Sequence, residues 1–132
     1  NCSMEDVLKL DQCLTDVNEN WPMAFERYNA GRKKDADAIA DLAVDNYYEM
    51  RDHVDNPDFI AKRAIEMKLE KKYPDYASKY NLVTFCEQHP YSYAKEKGNR
   101  QDKWLLAYCN QTDTSNLSEE ELERIYKSLK EI

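Results

Sequence analysis

The sequence predicts a mainly α-helical protein, a bundle of about five to seven helices with at most one short extended segment near residues 80–85. The chain of 132 residues has only two glycines and four prolines, which is few for the tight turns of a sheet-rich fold. Apolar residues recur at intervals of three and four along most of the chain, as they do in helices that bury one face. A chain of this length is expected to form one domain with a modest core.

The first helix is predicted over residues 3–16. Its apolar stripe consists of Met4, Val7, Leu8 and Leu14. Asn20 is expected to cap a second helix, because Pro22 fits in the first turn, where its missing N–H costs nothing. This second helix is expected to stop or bend at Gly31.

A longer helix is predicted from about Lys34 to the turn at residues 55–57. Its apolar stripe consists of Ile39, Ala40, Ala43, Tyr47, Met50 and Val54. Asp55-Asn56-Pro57 ends this helix and starts the next one, which is expected to end at the break formed by Tyr73-Pro74-Asp75.

The stretch YNLVTF, residues 80–85, is rich in β-branched and aromatic residues and is the predicted extended segment. One helix is expected after Pro90 and another after Gly98. The last helix is predicted from Ser118 and Glu121, whose spacing is that of a capping box.

Charge and hydropathy exclude some classes of function. A net charge of -7 argues against general nucleic-acid binding, and the short basic run of residues 32–34 is interpreted as a solvated helix face. No apolar run approaches the roughly 20 residues that cross a bilayer, so no membrane partner is expected. Cys13 and Cys109 have apolar neighbours and are predicted to be buried thiols, which favours a reducing, cytoplasmic location.

The residues on their own indicate little catalytic chemistry. His53 and His89 lack the spacing to a cysteine or carboxylate that indicates a metal site, and both are expected at the surface. The chain has no nucleotide-binding glycine motif and no nucleophile motif. Without further information, the interpretation is a helical interaction module.

The opening sequence, NCSMEDVLKL, resembles a motif of flavin-dependent aromatic hydroxylases, G-Q-G-M-N-x-x-x-E-D-x-x-x-L. In that class a glycine-rich turn beneath the flavin leads into a helix. The chain matches the motif from its asparagine onward, at Asn1, Glu5, Asp6 and Leu10. The resemblance implies that Asn1 contacts the flavin ring.

Three further stretches resemble the kynurenine 3-monooxygenase family more narrowly. Residues 32–54 contain DAIADLAVDNYYEMRD, which is similar to that family's D-A-I-x-D-L-A-x-x-N-Y-x-E-M-R-D. KYNLVTF, residues 79–85, resembles L-Y-x-M-V-T-F, and HPYSYAKEKGNRQ, residues 89–101, resembles I-P-Y-x-x-A-x-x-R-G-x-x-Q. Leu82 stands in place of the motif's methionine, a volume-conserving change.

The resemblance implies an enzyme that uses NADPH, FAD and O2 to hydroxylate L-kynurenine at position 3 of its ring. Residue by residue, it implies that Asn46 and Tyr80 hydrogen-bond the substrate and that Glu49, Met50 and Thr84 line its pocket. No catalytic residue and no metal ligand is expected in this chain. The helical spacing agrees, because residues 46, 49 and 50 share one face.

The family's dinucleotide-binding unit, its flavin Gly-Asp motif and its carboxylate-binding arginine belong upstream of these stretches. The resemblance therefore implies the C-terminal part of a larger α/β flavoprotein, with a flavin-side helix at 1–16, substrate-capping helices at 22–110 and an amphipathic helix at 118–132. The isolated chain is expected to bind neither FAD nor kynurenine tightly. Apolar surface that the missing N-terminal FAD domain would cover is expected to cause self-association.

Two other interpretations stay open from the sequence. The chain could be a stand-alone helical interaction module derived from such an enzyme. It could also be part of a related flavin-dependent aromatic hydroxylase that acts on a different substrate.

Overall fold

The computed structural model describes residues 2–52, 55–85 and 89–132, and residue 52 is described by its backbone alone. These residues form six helices and no strand, which confirms the predicted mainly α class. The helices are α1 (Cys2–Asp16), α2 (Trp21–Asp52), α3 (Pro57–Lys72), α4 (Lys79–Thr84), α5 (Tyr91–Gln111) and α6 (Glu119–Lys130).

The main hydrophobic core lies between α3, α5 and α6. Five of its side chains are at most 2% exposed, and burying an aliphatic side chain of this size stabilises a fold by about 1.5–3 kcal/mol. These five side chains are Ile65, Leu69, Leu105, Ile125 and Leu129. The stacked rings of Tyr73 and Tyr126, with centroids 3.8 Å apart, cover one edge of this core. The packing of α6 therefore anchors the last helix firmly to the bundle.

Helix ends follow the polar residues that the sequence singled out. The Oδ1 of Asn20 accepts a hydrogen bond from the backbone N–H of Met23 at 3.2 Å. Ser118 and Glu121 form the predicted capping box, in which each side chain accepts from the other residue's backbone N–H. Asn56 caps α3 by accepting from the N–H groups of Asp58 and Phe59.

Neither glycine ends a helix, so the helix ends predicted at Gly31 and Gly98 are wrong. Helix α2 continues through Gly31, and α5 continues through Gly98. A Cβ at residue 31 would meet no atom within 4 Å, whereas a Cβ at residue 98 would lie 2.5 Å from the Cγ and 3.0 Å from the Cα of Lys79. Glycine at 98 thus allows α4 to approach α5 closely, and it does not mark a helix end.

The extended segment predicted at residues 80–85 is also wrong, because residues 79–84 form α4. The Oγ of Ser78 accepts from the N–H of Asn81 at 3.4 Å, and Leu82 is buried at 5% exposure. An N-terminal cap, one buried side chain and the packing of α4 against α5 outweigh the β propensity of the stretch. Tyr80, Val83 and Thr84 of this stretch line a groove described below.

A buried arginine joins α1 to the rest of the bundle. Arg32 is only 9% exposed, which contradicts its interpretation as part of a solvated face. Its Nε lies 2.6 Å from Asp6 and its Nη2 lies 3.2 Å from Glu5, and its guanidinium carbon lies 5.7 Å from the ring centroid of Tyr91. The Tyr91 hydroxyl donates to Glu5 at 2.8 Å, and burial together with this carboxylate raises the pKa of Tyr91 to about 12.

Other surface and core predictions have mixed outcomes. Cys13 and Cys109 are buried, as expected, and His89 is exposed. His53 lies outside the described residues. Three members of the α1 stripe, Met4, Val7 and Leu8, are between 64% and 70% exposed. No helix in the described part of the chain is both long enough and apolar enough to span a bilayer.

Candidate functional site

A groove of about 800 Å³ lies between α2, α3 and α4. We call it the central groove. Its apolar lining includes Ile39, Leu42, Ile60, Met67 and Val83. A concave, mostly apolar space of this size, with a few polar groups at its walls, has the properties of a small-molecule site.

The five side chains that the sequence nominated for substrate binding all line the central groove. Asn46, Glu49 and Met50 come from α2, where a spacing of three and four residues puts them on one face. Tyr80 and Thr84 come from α4 on the other wall. The two walls come from segments that are far apart in sequence; Glu49 on one wall and Lys79 on the other are separated by 30 residues.

The groove explains the apolar stripe predicted along α2. Tyr47 and Met50 are 59% and 65% exposed, so the stripe does not pack into a core along its whole length. Ile39, Ala43 and Met50 line the groove instead. Tyr47 leaves this face and packs edge-on against Tyr48, with ring centroids 5.6 Å apart.

The flavin contact implied for Asn1 lies outside the described residues. Within those residues, no group of three or more His, Cys, Asp or Glu side chains is arranged to hold a metal ion. The polar groups that line the central groove include an amide, two hydroxyls and the charged side chains of Glu49, Lys79, Lys62, Arg63 and Glu66. Such groups can bind and orient a ligand.

The lining of the groove includes an ion pair that the sequence did not indicate. The Nζ of Lys79 donates to Oε1 of Glu49 at 2.6 Å and lies 2.7 Å from Oδ2 of Asp102. The other carboxylate oxygen of Asp102, Oδ1, accepts from Lys62 at 2.7 Å. Asp102 of α5 therefore receives one lysine on each oxygen.

This charge network continues along α3. Lys62 lies 3.5 Å from Glu66, and Arg63 donates to the same carboxylate at 3.2 Å. The side chains of Lys62 and Glu66 are only 5% and 4% exposed. Charges this deeply buried are tolerated when each has partners, and removing one partner is costly. The network connects α2, α4, α5 and α3 around the groove.

Burial and neighbouring charges shift the pKa values of three groups here. Burial raises the pKa of Glu66; Lys62 opposes the shift and Asp102 adds to it. For Lys79 burial alone would lower the pKa, but Asp102 and Glu49 outweigh it and raise the pKa above its ordinary value. Burial, reinforced by Glu66, raises the pKa of Tyr76, whose buried hydroxyl has no hydrogen-bond partner among the described residues.

Sequence reasoning missed Lys79, Asp102 and the α3 wall of the groove. The pair Lys62–Glu66 has a local signal, a spacing of four residues on a helix. The contact between Lys62 and Asp102 spans 40 residues and has no such signal. It arises only when α3 and α5 pack.

Comparison with known proteins gives the same family as the motifs. The chain is 35% identical over 135 residues to kynurenine 3-monooxygenase of Dictyostelium discoideum, with 92% of this chain and 29% of that protein aligned. It is 38% identical over 107 residues to the enzyme of that name from Xanthomonas euvesicatoria pv. vesicatoria, covering 80% of the chain and 23% of the relative. For Myxococcus xanthus the identity is 40% over 99 residues, covering 74% and 21%.

No protein-family model matches the chain. The chain spans between about a fifth and three tenths of the length of these curated relatives. The aligned part includes most of the chain in each case. By this similarity, the chain belongs to the kynurenine 3-monooxygenase family and corresponds to one portion of its longer sequence.

Proposed function

We propose that this chain is the C-terminal, substrate-pocket portion of a kynurenine 3-monooxygenase. The complete enzyme would hydroxylate L-kynurenine at ring position 3 with NADPH, O2 and FAD. The observation that carries the proposal is that all five nominated side chains, from two separate segments, line one groove of about 800 Å³. Membership of the family also supports it.

The residues of the groove have distinct roles in this proposal. Asn46 and Tyr80 offer an amide and a hydroxyl to the polar groups of the substrate. Met50 offers soft apolar surface to its aromatic ring, and Thr84 completes the α4 wall. Glu49 already accepts from Lys79, so it contributes half of an ion pair to the pocket. These residues bind and orient the substrate and exclude water from it.

FAD would supply the oxygen-transfer chemistry in the complete enzyme. The described residues form helices and no strand, so they do not build the βαβ unit that holds a dinucleotide. We therefore infer that FAD and NADPH bind mainly to an N-terminal domain outside this chain, and that the isolated chain is inactive. A cytoplasmic location is part of the same proposal.

Three parts of the chain have separate roles in this proposal. Residues 1–16 would form the helix on the flavin side, residues 22–110 would cap the substrate, and residues 118–132 would form a C-terminal amphipathic helix. The exposed apolar side chains of α1 and the start of α2 are expected to contact the FAD domain. These side chains are Met4, Val7, Leu8, Trp21, Met23 and Phe25.

Two experiments test the proposal. The isolated chain, mixed with FAD, should leave flavin fluorescence unchanged. Stoichiometric quenching at micromolar concentration would contradict the inference that FAD binds mainly outside this chain. The complete gene product should oxidise NADPH in response to kynurenine. A panel of other aromatic acids tests the competing interpretation of a related hydroxylase, which predicts faster turnover of one of those acids.

A further inference from the structure

We propose that Lys79 is a positioning residue that fixes the α4 wall of the central groove against α2 and α5. The inference deepens the proposed function and rests on it for the identity of the ligand. Lys79 is the first residue of α4 and immediately precedes Tyr80, so the position of its side chain sets the position of the wall that carries Tyr80 and Thr84.

The charged end of Lys79 holds two helices at once. Its Nζ lies 2.6 Å from Glu49 on α2 and 2.7 Å from Asp102 on α5. The side chain is only 15% exposed, and those of Glu49 and Asp102 are 26% and 11% exposed. A charge-assisted contact at this burial is stronger and more exact in geometry than a surface ion pair.

The aliphatic part of Lys79 is held by a separate contact. At Gly98 of α5, even a single added Cβ would come within 2.7 Å of the Lys79 Cβ and 3.0 Å of its Cα. The backbone of α4 therefore rests directly on α5 at this point. Both ends of the Lys79 side chain are constrained, and the two constraints come from different residues.

Helix α4 packs closely against α5, and the ion pair of Lys79 with Glu49 links it to α2. The helix has only six residues, too short to be stable on its own, and within it only Leu82 is buried. Tyr80 is 59% exposed and Thr84 is also exposed. Loss of the Lys79 contacts should let α4 move, which would separate Tyr80 from Asn46 across the groove.

Two substitutions perturb this anchor by different routes. Lys79→Met keeps the unbranched stem and removes the charge, and Asp102 retains Lys62 in that variant. Gly98→Ala keeps every charged group and pushes the stem away. Lys79→Arg keeps the charge and is the conservative variant. The matched control is Lys95→Met, because Lys95 also joins α5 to α2 through an ion pair with Asp41, but at an exposed site.

Hydrogen exchange on this chain gives the first measurement. The amides of α4 should exchange about tenfold faster in Lys79→Met and in Gly98→Ala than in the wild type, with α6 unchanged. Lys95→Met should leave α4 unchanged. Exchange in α4 that is the same in Lys79→Met and Lys95→Met would overturn the proposal.

Kinetics of the complete gene product give the second measurement. A purely structural role of Lys79 would not change the KM for kynurenine while leaving the KM for NADPH unchanged. Lys79→Met should raise the KM for kynurenine about tenfold and leave the KM for NADPH unchanged, with Lys79→Arg in between. An unchanged KM for kynurenine contradicts the positioning role. If the wild type does not turn over kynurenine, the proposed function fails, and the exchange comparison still decides whether Lys79 anchors α4.

Discussion

The ammonium of Lys79 lies 2.7 Å from Asp102, and Asp102 in turn lies 2.7 Å from Lys62. The contact between Lys79 and Asp102 joins the shortest helix of the bundle to one of the longest. It also places a fixed positive charge beside Glu49, so the negative charge of the Glu49 carboxylate is compensated within the groove. The site thus combines an apolar surface with a charge network that is satisfied before any ligand arrives.

The amide of Asn46 is expected to contribute to substrate binding. Asn46→Ala in the complete gene product should raise the Kd for kynurenine about tenfold, because a buried polar group of the ligand would lose its partner. Isothermal titration calorimetry measures this. Asn29→Ala, an exposed amide-to-alanine change in the same helix, is the matched control and should leave the Kd unchanged. Equal Kd values in the two variants would refute the role of Asn46.

The two glycines should respond to alanine in opposite directions. Gly98→Ala should destabilise the chain by about 1–3 kcal/mol, because the new Cβ overlaps the stem and backbone of Lys79. Gly31→Ala should stabilise it by roughly 0.5–1 kcal/mol, because the site is open and lies inside α2. Urea denaturation of both variants measures the free energy of unfolding. A stabilising Gly98→Ala would show that α4 and α5 do not approach as described.

The raised pKa of Glu66 predicts a dependence of stability on pH. Its folded-state pKa is above the ordinary value of 4.5, so the folded chain holds this proton more tightly than the unfolded chain does. The contribution to stability is therefore fully present below pH 4.5 and is lost as the pH rises through the folded-state pKa.

The variant Glu66→Gln isolates this contribution because glutamine does not titrate. The difference in unfolding free energy, wild type minus Glu66→Gln, should fall as the pH rises from 4.5 toward neutrality. Urea denaturation at a series of pH values measures it. A difference that rises over this range would mean that Lys62 and Arg63 outweigh burial and depress the pKa.

Exposed apolar side chains on α1 and at the start of α2 predict self-association of the isolated chain. Leu8 is 70% exposed, and Trp21 and Phe25 are 53% and 52% exposed, with their ring centroids 5.6 Å apart. Light scattering should show a mass that grows with concentration. Leu8→Glu should reduce the association, whereas Lys9→Glu, the adjacent exposed residue, should not. A wild-type monomer at all concentrations would contradict this prediction.

Local patterns in the sequence determined most of the helices and their ends. The caps at Asn20 and Ser118 are formed by contacts within three residues, so nothing distant is needed to predict them. The face shared by Asn46, Glu49 and Met50 follows from helical spacing alone. The motif resemblance then joined this face to Tyr80 and Thr84, although it could not supply their distance.

Tertiary packing decided what local patterns could not. Residues 79–84 became a helix because Ser78 caps them and Leu82 is buried, although their composition favours a strand. Gly98 lies inside α5 because the backbone of Lys79 needs the space of its missing Cβ. The charge network could not be read from the sequence, since Lys62 and Asp102 meet only across packed helices. The sequence by itself therefore determined the helical class, the caps and one face of the groove, and tertiary packing decided that the facing wall is a helix and how that wall is held.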